Sequence, residues 1–485
     1  PDLLSCWVFI KITGKFIRYI IFSPMNDSNV KDHSFYYQEQ VEYFSNGNTK
    51  PIQNRVNTLL KLYNLFKENE SNIYSALNKD LGKSNFESYA TELGIVLNEI
   101  KYHIRNIKSW SSPTHSANPI TNFPATSYTV YEPLGNVLII APWNYPFQLL
   151  MTPLIGAISA GNTAILKPSE ISSNSSKLVK DIINNNFDPG LIKVVEGDKY
   201  ITQDLLTFNF NHIFFTGSTE VGKIIYKSAA EKMIPVTLEL GGKSPCIVDS
   251  KINLQLAAKR IIWGKLINAG QTCIAPDYIL VNKEVKSKLI NELILAIINF
   301  YGNDASLSKD YPRIINESNV LRLSNLTDNT KIVYGGKYNT EECYFEPTLI
   351  DNVDINSPIM SQEIFGPILP IITYDTLDQA IDIVKSKEKP LALYFFSNCK
   401  QNQNRILNEI SCGGVTINDT IVHFVSNKLP FGGIGNSGIG KYHGKYSFLT
   451  FSNQKPVVRK KTWLDIPIRY APFKSKLKIV KMLLG

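Results

Sequence analysis

The chain has 485 residues, 44% hydrophobic and 19% charged, with no compositionally biased tract and no repeat of solenoid period. That excludes a disordered or repeat protein and leaves room for two or three domains around a large core. The formal net charge of +9 is concentrated at the ends: residues 451–485 hold nine Lys/Arg against one acid, and the body between is close to neutral. A near-neutral body disfavours nucleic-acid binding, and a basic tail reads either as a solvated end or as a contact with an anionic membrane surface.

Residues 3–22 are apolar but interrupted by Lys11, Lys15 and Arg18, which makes a poor spanning helix and a poor signal peptide. Residues 1–24 read as an upstream extension before a start at Met25, with a membrane-surface anchor as the alternative. Residues 53–107 are expected to be helical, with Val56, Leu59, Leu60, Tyr63 and Phe66 at helical spacing. Residues 111–124, rich in Pro, Ser, Thr and Asn, mark a connection, and 128–131 a strand leaving it. Short apolar runs at 137–140, 163–166, 194–195 and 213–215, with helix-like segments between them, imply a mostly parallel sheet with right-handed crossovers. A second such series at 236–240, 246–249 and 278–281 places a domain boundary near Pro235. Six cysteines lie far apart, with no Cys-x-x-Cys pair and no His cluster, so neither a disulfide framework nor a metal site is expected, and reduced thiols fit a cytoplasmic protein.

Five stretches can carry chemistry. At Thr216-Gly217-Ser218-Thr219-Glu220-Val221-Gly222 an apolar strand ends, a turn follows and a helix begins; such a junction aims N–H groups at a phosphate, or is a plain strand–helix turn. Lys167-Pro168-Ser169-Glu170 follows a parallel strand, where Lys and Glu could hold ribose hydroxyls or merely cap a helix. Cys273, in Asn268-Ala269-Gly270-Gln271-Thr272-Cys273, is preceded by a helix that Gly270 is expected to end. It therefore sits in a tight turn among small and polar residues rather than on an apolar face. Cys246, Cys343, Cys399 and Cys412 read as inert thiols. Glu239 lies in an apolar strand, where burial would raise its pKa and suit it to be a general base, unless a nearby Lys pairs with it. Asn144, in Pro142-Trp143-Asn144-Tyr145-Pro146, can donate to an oxyanion or form an Asx turn.

In their order and spacing these stretches, with Gly161-Asn162-Thr163 and Glu363-Ile364-Phe365-Gly366-Pro367, resemble the aldehyde dehydrogenase superfamily from about residue 50 to 455. Cys273-Ile274-Ala275-Pro276-Asp277-Tyr278 and the run from Pro430 to Lys445 resemble its class-3 and fatty-aldehyde branch. The resemblance implies an α/β fold: a Rossmann-like dinucleotide-binding domain, a related α/β catalytic domain and a small bridging β-sheet. On it, residues 25–235 are the NAD(P)-binding domain with a bridging strand near 111–132. Residues 236–415 are the catalytic domain, and 416–485 the return segment, second bridging strand and basic tail. It implies that Cys273 attacks an aldehyde, that Asn144 and the Cys273 N–H hold the oxyanion, and that Glu239 activates the water that hydrolyses the thioester. It also implies Lys167 and Glu170 at the adenosine ribose, Gly217, Ser218 and Gly222 in the dinucleotide turn, and Glu363 and Phe365 at the nicotinamide. An acid at Glu170 favours NAD, with NADP also accepted in this branch. A homodimer, a medium- or long-chain aliphatic or aromatic aldehyde substrate, and peripheral membrane contact through the tail complete the expectation. The rivals are a semialdehyde or acyl-phosphate-forming dehydrogenase on the same scaffold, whose acylating members typically lack an acid at the position of Glu239, and a non-catalytic protein on the same fold, which would lack Cys273, Asn144 or Glu239.

Overall fold

The computed structural model describes residues 7–12, 15–20, 33–328 and 330–484. The expected start at Met25 lies outside them. Trp7–Ile12 and Lys15–Ile20 pair as antiparallel strands.

The stretch expected to be helical divides into Ile52–Glu68, Glu70–Leu81, Asn85–Ser88 and Gly94–Trp110, with a π-helical turn, Tyr89–Leu93, before the last. In the first of these Leu59, Leu62 and Phe66 are buried, whereas Leu60, expected on the apolar face, is exposed. Helix Gln148–Ala160 is buried along its whole length. A helix with no solvent face needs a buried partner for its free N-terminal N–H groups. Glu92 from the π-turn supplies it, accepting from Phe147 N (3.0 Å) and Gln148 N (2.9 Å).

Two large sheets carry the core. The first has six strands in the order Gly438–Ile439, Val236–Glu239, His212–Thr216, Asn136–Ile140, Thr163–Lys167, Ile192–Val194, all parallel except the first. The second has seven, in the order Lys331–Tyr334, Thr348–Asp351, Ile368–Tyr374, Tyr278–Asn282, Pro245–Val248, Ala392–Phe396, Gly414–Ile417, again antiparallel only at the first. Their parallel strands are nearly continuous buried apolar runs, as helices on both faces require. The boundary expected at Pro235 is corrected: Val236–Glu239 pairs with His212–Thr216 and closes the first sheet, so the chain passes between sheets at residues 240–244. Two glycines there, Gly241 and Gly242, let the backbone make that passage, Gly242 at φ 158°. A third sheet joins Ser452–Lys460, Ala125–Pro133 and Thr114–Ser116, all antiparallel. Among the described residues no helix is long and apolar enough to cross a membrane.

Candidate active site

The two large sheets meet at a cavity of about 590 Å³ lined by Asn144, Gly217, Ser218, Glu239, Cys273, Glu363 and Phe365, among others. Seven of the ten residues singled out in the sequence therefore share one space. Lys167, Glu170 and Gly222 are not on its wall. Lys167 ends its strand at the carboxyl edge of the first sheet, buried, with its amino group on Pro168 O (2.8 Å) and Glu170 Oε2 (3.4 Å). Desolvation pushes its pKa down, opposed by Glu170. Gly222 serves packing: a Cβ there would lie 2.6 Å from Leu240 Cδ2.

Cys273 follows an unusual turn. Helix Leu254–Leu266 ends four residues before Gly270, not at it as expected, because Ile267 swings to φ −53°, ψ 132°. Asn268 (φ 53°), Ala269 (φ 50°) and Gly270 (φ 76°) are then all left-handed, a conformation that is strained for the two with side chains. Gly270 must be glycine, since a Cβ would collide with the carbonyl oxygen of Gly366. Hydrogen bonds over-determine the turn. Gln271 donates to Asn268 O (3.0 Å) and Arg313 O (2.9 Å) and accepts from Ile315 N (2.9 Å). Asn268 Nδ2 donates to Asn144 O (2.7 Å) and Gln271 O (3.1 Å), and Asn268 N to Glu87 Oε1 (2.7 Å). Burial, then Glu363 and Glu239, hold the Cys273 thiol well above its ordinary pKa, while the N–H groups of Cys273 and Ile274 aim at the sulfur and favour the thiolate.

Asn144 is fixed from both ends. Its carbonyl accepts from Lys83 Nζ (3.2 Å) as well as from Asn268, and its Nδ2 donates to Gln271 O (3.0 Å). An amide nitrogen carries two N–H bonds, so one remains for the cavity. Lys83 is buried, 2.6 Å from Glu92 and 4.0 Å over the Tyr145 ring. The Tyr145 hydroxyl in turn meets Thr272 Oγ1 at 2.6 Å, beside Cys273.

Glu239 ends its strand buried, with neither carboxylate oxygen hydrogen-bonded. Burial raises its pKa well above the carboxylate range, and Lys441 partly offsets this. Lys441 does not pair with it directly, because its ammonium donates to the carbonyls of Gly432 and Gly413. A group that is buried, unpaired and facing a cavity is suited to exchange a proton with a molecule placed there. Glu363 rests against Gly241, where a Cβ would displace it, and takes a bond from the Gly242 N–H. Burial, with Asp277 nearby, raises its pKa to about 8. Phe365, left-handed at φ 49°, meets Trp143 edge to face at 5.3 Å across the cavity.

The wall at Gly217 suits a phosphate-bearing ligand. Ser218 Oγ accepts from Val221 N (3.3 Å) as the N-cap of helix Thr219–Glu231, whose first turn lines the cavity together with Lys223. At Gly217 a Cβ would sit 2.5 Å from Phe215 Cζ. Among the described residues no group of three or more His, Cys, Asp or Glu is placed to hold a metal ion. The sequence reading missed the supporting groups Lys83, Glu87, Glu92, Asn268 and Lys441. For Glu87 and Glu92 the available signal was a charge within the stretch 53–107 expected to be helical; Lys83 lies between helices, and Asn268 and Lys441 stand inside stretches already quoted, with no role given to them.

A family model described as the aldehyde dehydrogenase family matches residues 24–457. The chain is 48% identical to the 4,4'-diaponeurosporen-aldehyde dehydrogenase of Staphylococcus aureus, covering 93% of this chain and 99% of that one. It is 44% identical to the dimeric, NADP-preferring aldehyde dehydrogenase of Rattus norvegicus, covering 90% and 97%. Among solved structures, the substrate-bound state of Staphylococcus aureus AldH superposes with a TM-score of 0.92 at 47% identity, covering 94% and 100%. The glyceraldehyde-3-phosphate dehydrogenase of Methanocaldococcus jannaschii complexed with NADP gives 0.80 at 27% identity, covering 88% and 94%. Matched along nearly its whole length in both sequence and shape, the chain belongs to the aldehyde dehydrogenase family.

Proposed function

We propose that this protein oxidises an aldehyde to the carboxylic acid with NAD or NADP, through a thioester on Cys273. The observation that carries the reading is the meeting of Cys273, Asn144 and an unpaired, buried Glu239 on one cavity. The Cys273 thiol loses its proton to water, and its sulfur, aided by the N–H groups aimed at it, bonds to the aldehyde carbon while the C=O π pair moves to the carbonyl oxygen, which becomes an oxyanion. The free Asn144 N–H and the Cys273 N–H receive that charge. A pyridine nucleotide bound along Gly217, Ser218, Glu363 and Phe365 supplies the acceptor for the hydride that leaves the adduct. The Cys273 thioester then remains. Glu239 takes a proton from water, the water oxygen bonds to the acyl carbon, and the C–S bond breaks to return the thiol and release the acid.

A medium- or long-chain aliphatic or aromatic substrate is supported by the resemblance of residues 273–278 and 430–445 to the fatty-aldehyde branch. The name of the rat relative, dimeric and NADP-preferring, supports a homodimer and the use of NADP beside NAD. We also infer a cytoplasmic protein, on its six scattered cysteines, that touches membranes through its basic tail, on the charge of residues 451–485.

Reduction of the nicotinamide at 340 nm tests the reading with saturating aldehyde and NAD or NADP. Wild type is expected to turn over, Cys273→Ala to give nothing, and Glu239→Gln to give one burst per active site and then stall as the thioester. Asn144→Ala is expected to lower the burst rate by about 10²–10³-fold, the scale of losing one oxyanion donor. Steady turnover by Cys273→Ala would overturn the assignment of the nucleophile.

A further inference from the structure

The charge nearest the strained turn is neither Glu239 nor Glu363, but Glu87. It lies in the short helix Asn85–Ser88, immediately before the π-turn Tyr89–Leu93. Its Oε1 accepts the backbone N–H of Asn268 at 2.7 Å, a buried contact between residues 181 apart in sequence. Asn268 is the first of the three left-handed residues, and its side chain binds both Asn144 O and Gln271 O. One carboxylate thus anchors the residue from which both the oxyanion donor and the approach to Cys273 are held. A left-handed Asn followed by a left-handed Ala persists only where the surroundings over-determine it. A π-turn puts one extra residue into a helix and often marks a functional site. Here it carries Glu92 to the N-terminus of helix Gln148–Ala160 while Glu87 faces the turn.

We infer that Glu87 is a positioning residue: its carboxylate holds the Asn268–Gly270 turn in the conformation that places Cys273 and Asn144 for attack on the aldehyde. The inference rests on the reading of Cys273 as nucleophile. The charged and titratable groups facing Glu87 are Lys83 and Glu92 from its own stretch, Asp310 from the loop opposite, Tyr145 from the Asn144 loop and Tyr301 from helix Lys286–Tyr301. Burial raises the Glu87 pKa to about 7, opposed mainly by Lys83 and the Asn268 N–H. The hydrogen bond is stronger to the ionised form, so the turn is held firmly above neutrality and loosely below it.

The test follows the burst rate against pH in the full-length enzyme, because the burst reports acylation and hydride release without the water step that Glu239 serves. Wild type is expected to rise through a limb near pH 7. Glu87→Gln keeps an acceptor but no charge. It is expected to give a profile without that limb, about tenfold below the wild-type plateau, within the range a small misplacement costs. Glu87→Leu, with no acceptor, is expected to fall further, with the KM for NAD unchanged in both. Alkylation of Cys273 by iodoacetamide in the apo-enzyme should lose the same limb in Glu87→Gln, and limbs set by Glu363 or Glu239 should persist. Thermal unfolding identifies a Glu87→Leu protein that fails to fold, and Glu87→Gln then decides alone. A Glu87→Gln profile that keeps the limb, or a folded Glu87→Leu protein with the wild-type burst rate, overturns the inference. Turnover by Cys273→Ala in the same series would instead sink the nucleophile reading and leave the contact of Glu87 with Asn268 N untouched.

Discussion

Glu239 combines two demands that oppose each other. The water step needs a base, and a base works best when its pKa lies near the working pH. Placing a carboxyl in a strand end with no hydrogen-bond partner meets that demand but costs stability, because ionisation there is penalised by burial. The direction follows from proton counting. With its pKa raised in the fold, Glu239 keeps its proton in the native state at pH values where the unfolded chain has lost it. The native state therefore binds more protons, and stability from this group declines as pH rises above about 4.5, until the raised folded pKa is passed. Glu239→Gln removes that decline. The variant should unfold at the same urea concentration as wild type near pH 4.5 and at a higher one at pH 8. Urea midpoints at the two pH values check this, and an equal midpoint difference at both would show that Glu239 titrates normally. The same residue change that stalls the thioester is thus expected to stabilise the protein, which marks Glu239 as a group kept for chemistry rather than for the fold.

At the scale of elements, the parallel strands of the first sheet, and Pro245–Val248 and Tyr278–Asn282 of the second, were legible as short apolar runs, because a strand buried on two faces needs no alternation; the second sheet's later strands were not read. The edge of the first sheet was not legible. The series restarts at Val236 after a turn, and only pairing with Ile213–Thr216 shows that Val236–Glu239 completes the earlier sheet. The reactive turn was legible in composition but not in geometry. Gly270 signalled a helix stop, whereas the left-handed turn at Asn268 and Ala269 is held by bonds from Asn268 to Glu87 and Asn144, which come from distant sequence, and to Gln271 close by. The last helix, Lys476–Leu484, was not read from the sequence, where the tail stood only as a basic end. Leu477, Ile479 and Met482 are exposed, interleaved with Lys476, Lys478 and Lys481. An apolar and cationic surface of this kind suits a bilayer of anionic lipid, where each basic residue near the surface contributes about 1 kcal/mol. Co-sedimentation with vesicles containing phosphatidylserine should retain the full chain at low salt, and release it as salt rises. A chain lacking residues 469–485 should stay in solution under both conditions. Equal partitioning of the two chains would leave the helix as a solvated end.

At the scale of the whole molecule, the third sheet leaves a long edge open among the described residues. The three-stranded sheet ends in the nine-residue strand Ser452–Lys460, paired with Ala125–Pro133 on one side only. A long edge strand exposes a row of backbone donors and acceptors that invite another strand. Val458 is 56% exposed on it, and beside it Ile120, Phe123 and Trp463 are exposed too, the last two edge to face at 6.3 Å. Apolar side chains gathered at an open edge mark an interface more often than a free surface, and a symmetric dimer would use the same edge twice. Asn144, Glu239 and Cys273 all come from one chain and line one cavity, so dimerisation through this sheet is not needed to assemble the chemistry. Two consequences separate. Val458→Asp, which places a charge among the exposed apolar side chains of this edge, should shift the sedimentation coefficient from the proposed dimer to monomer. The burst amplitude per chain at low temperature should stay at the wild-type value. The thermal midpoint should fall and lose its dependence on protein concentration, because a dimer is stabilised by mass action and a monomer is not. A variant that still sediments as the dimer would move the interface to another face, and a burst lost together with the dimer would mean that the partner chain completes the cavity.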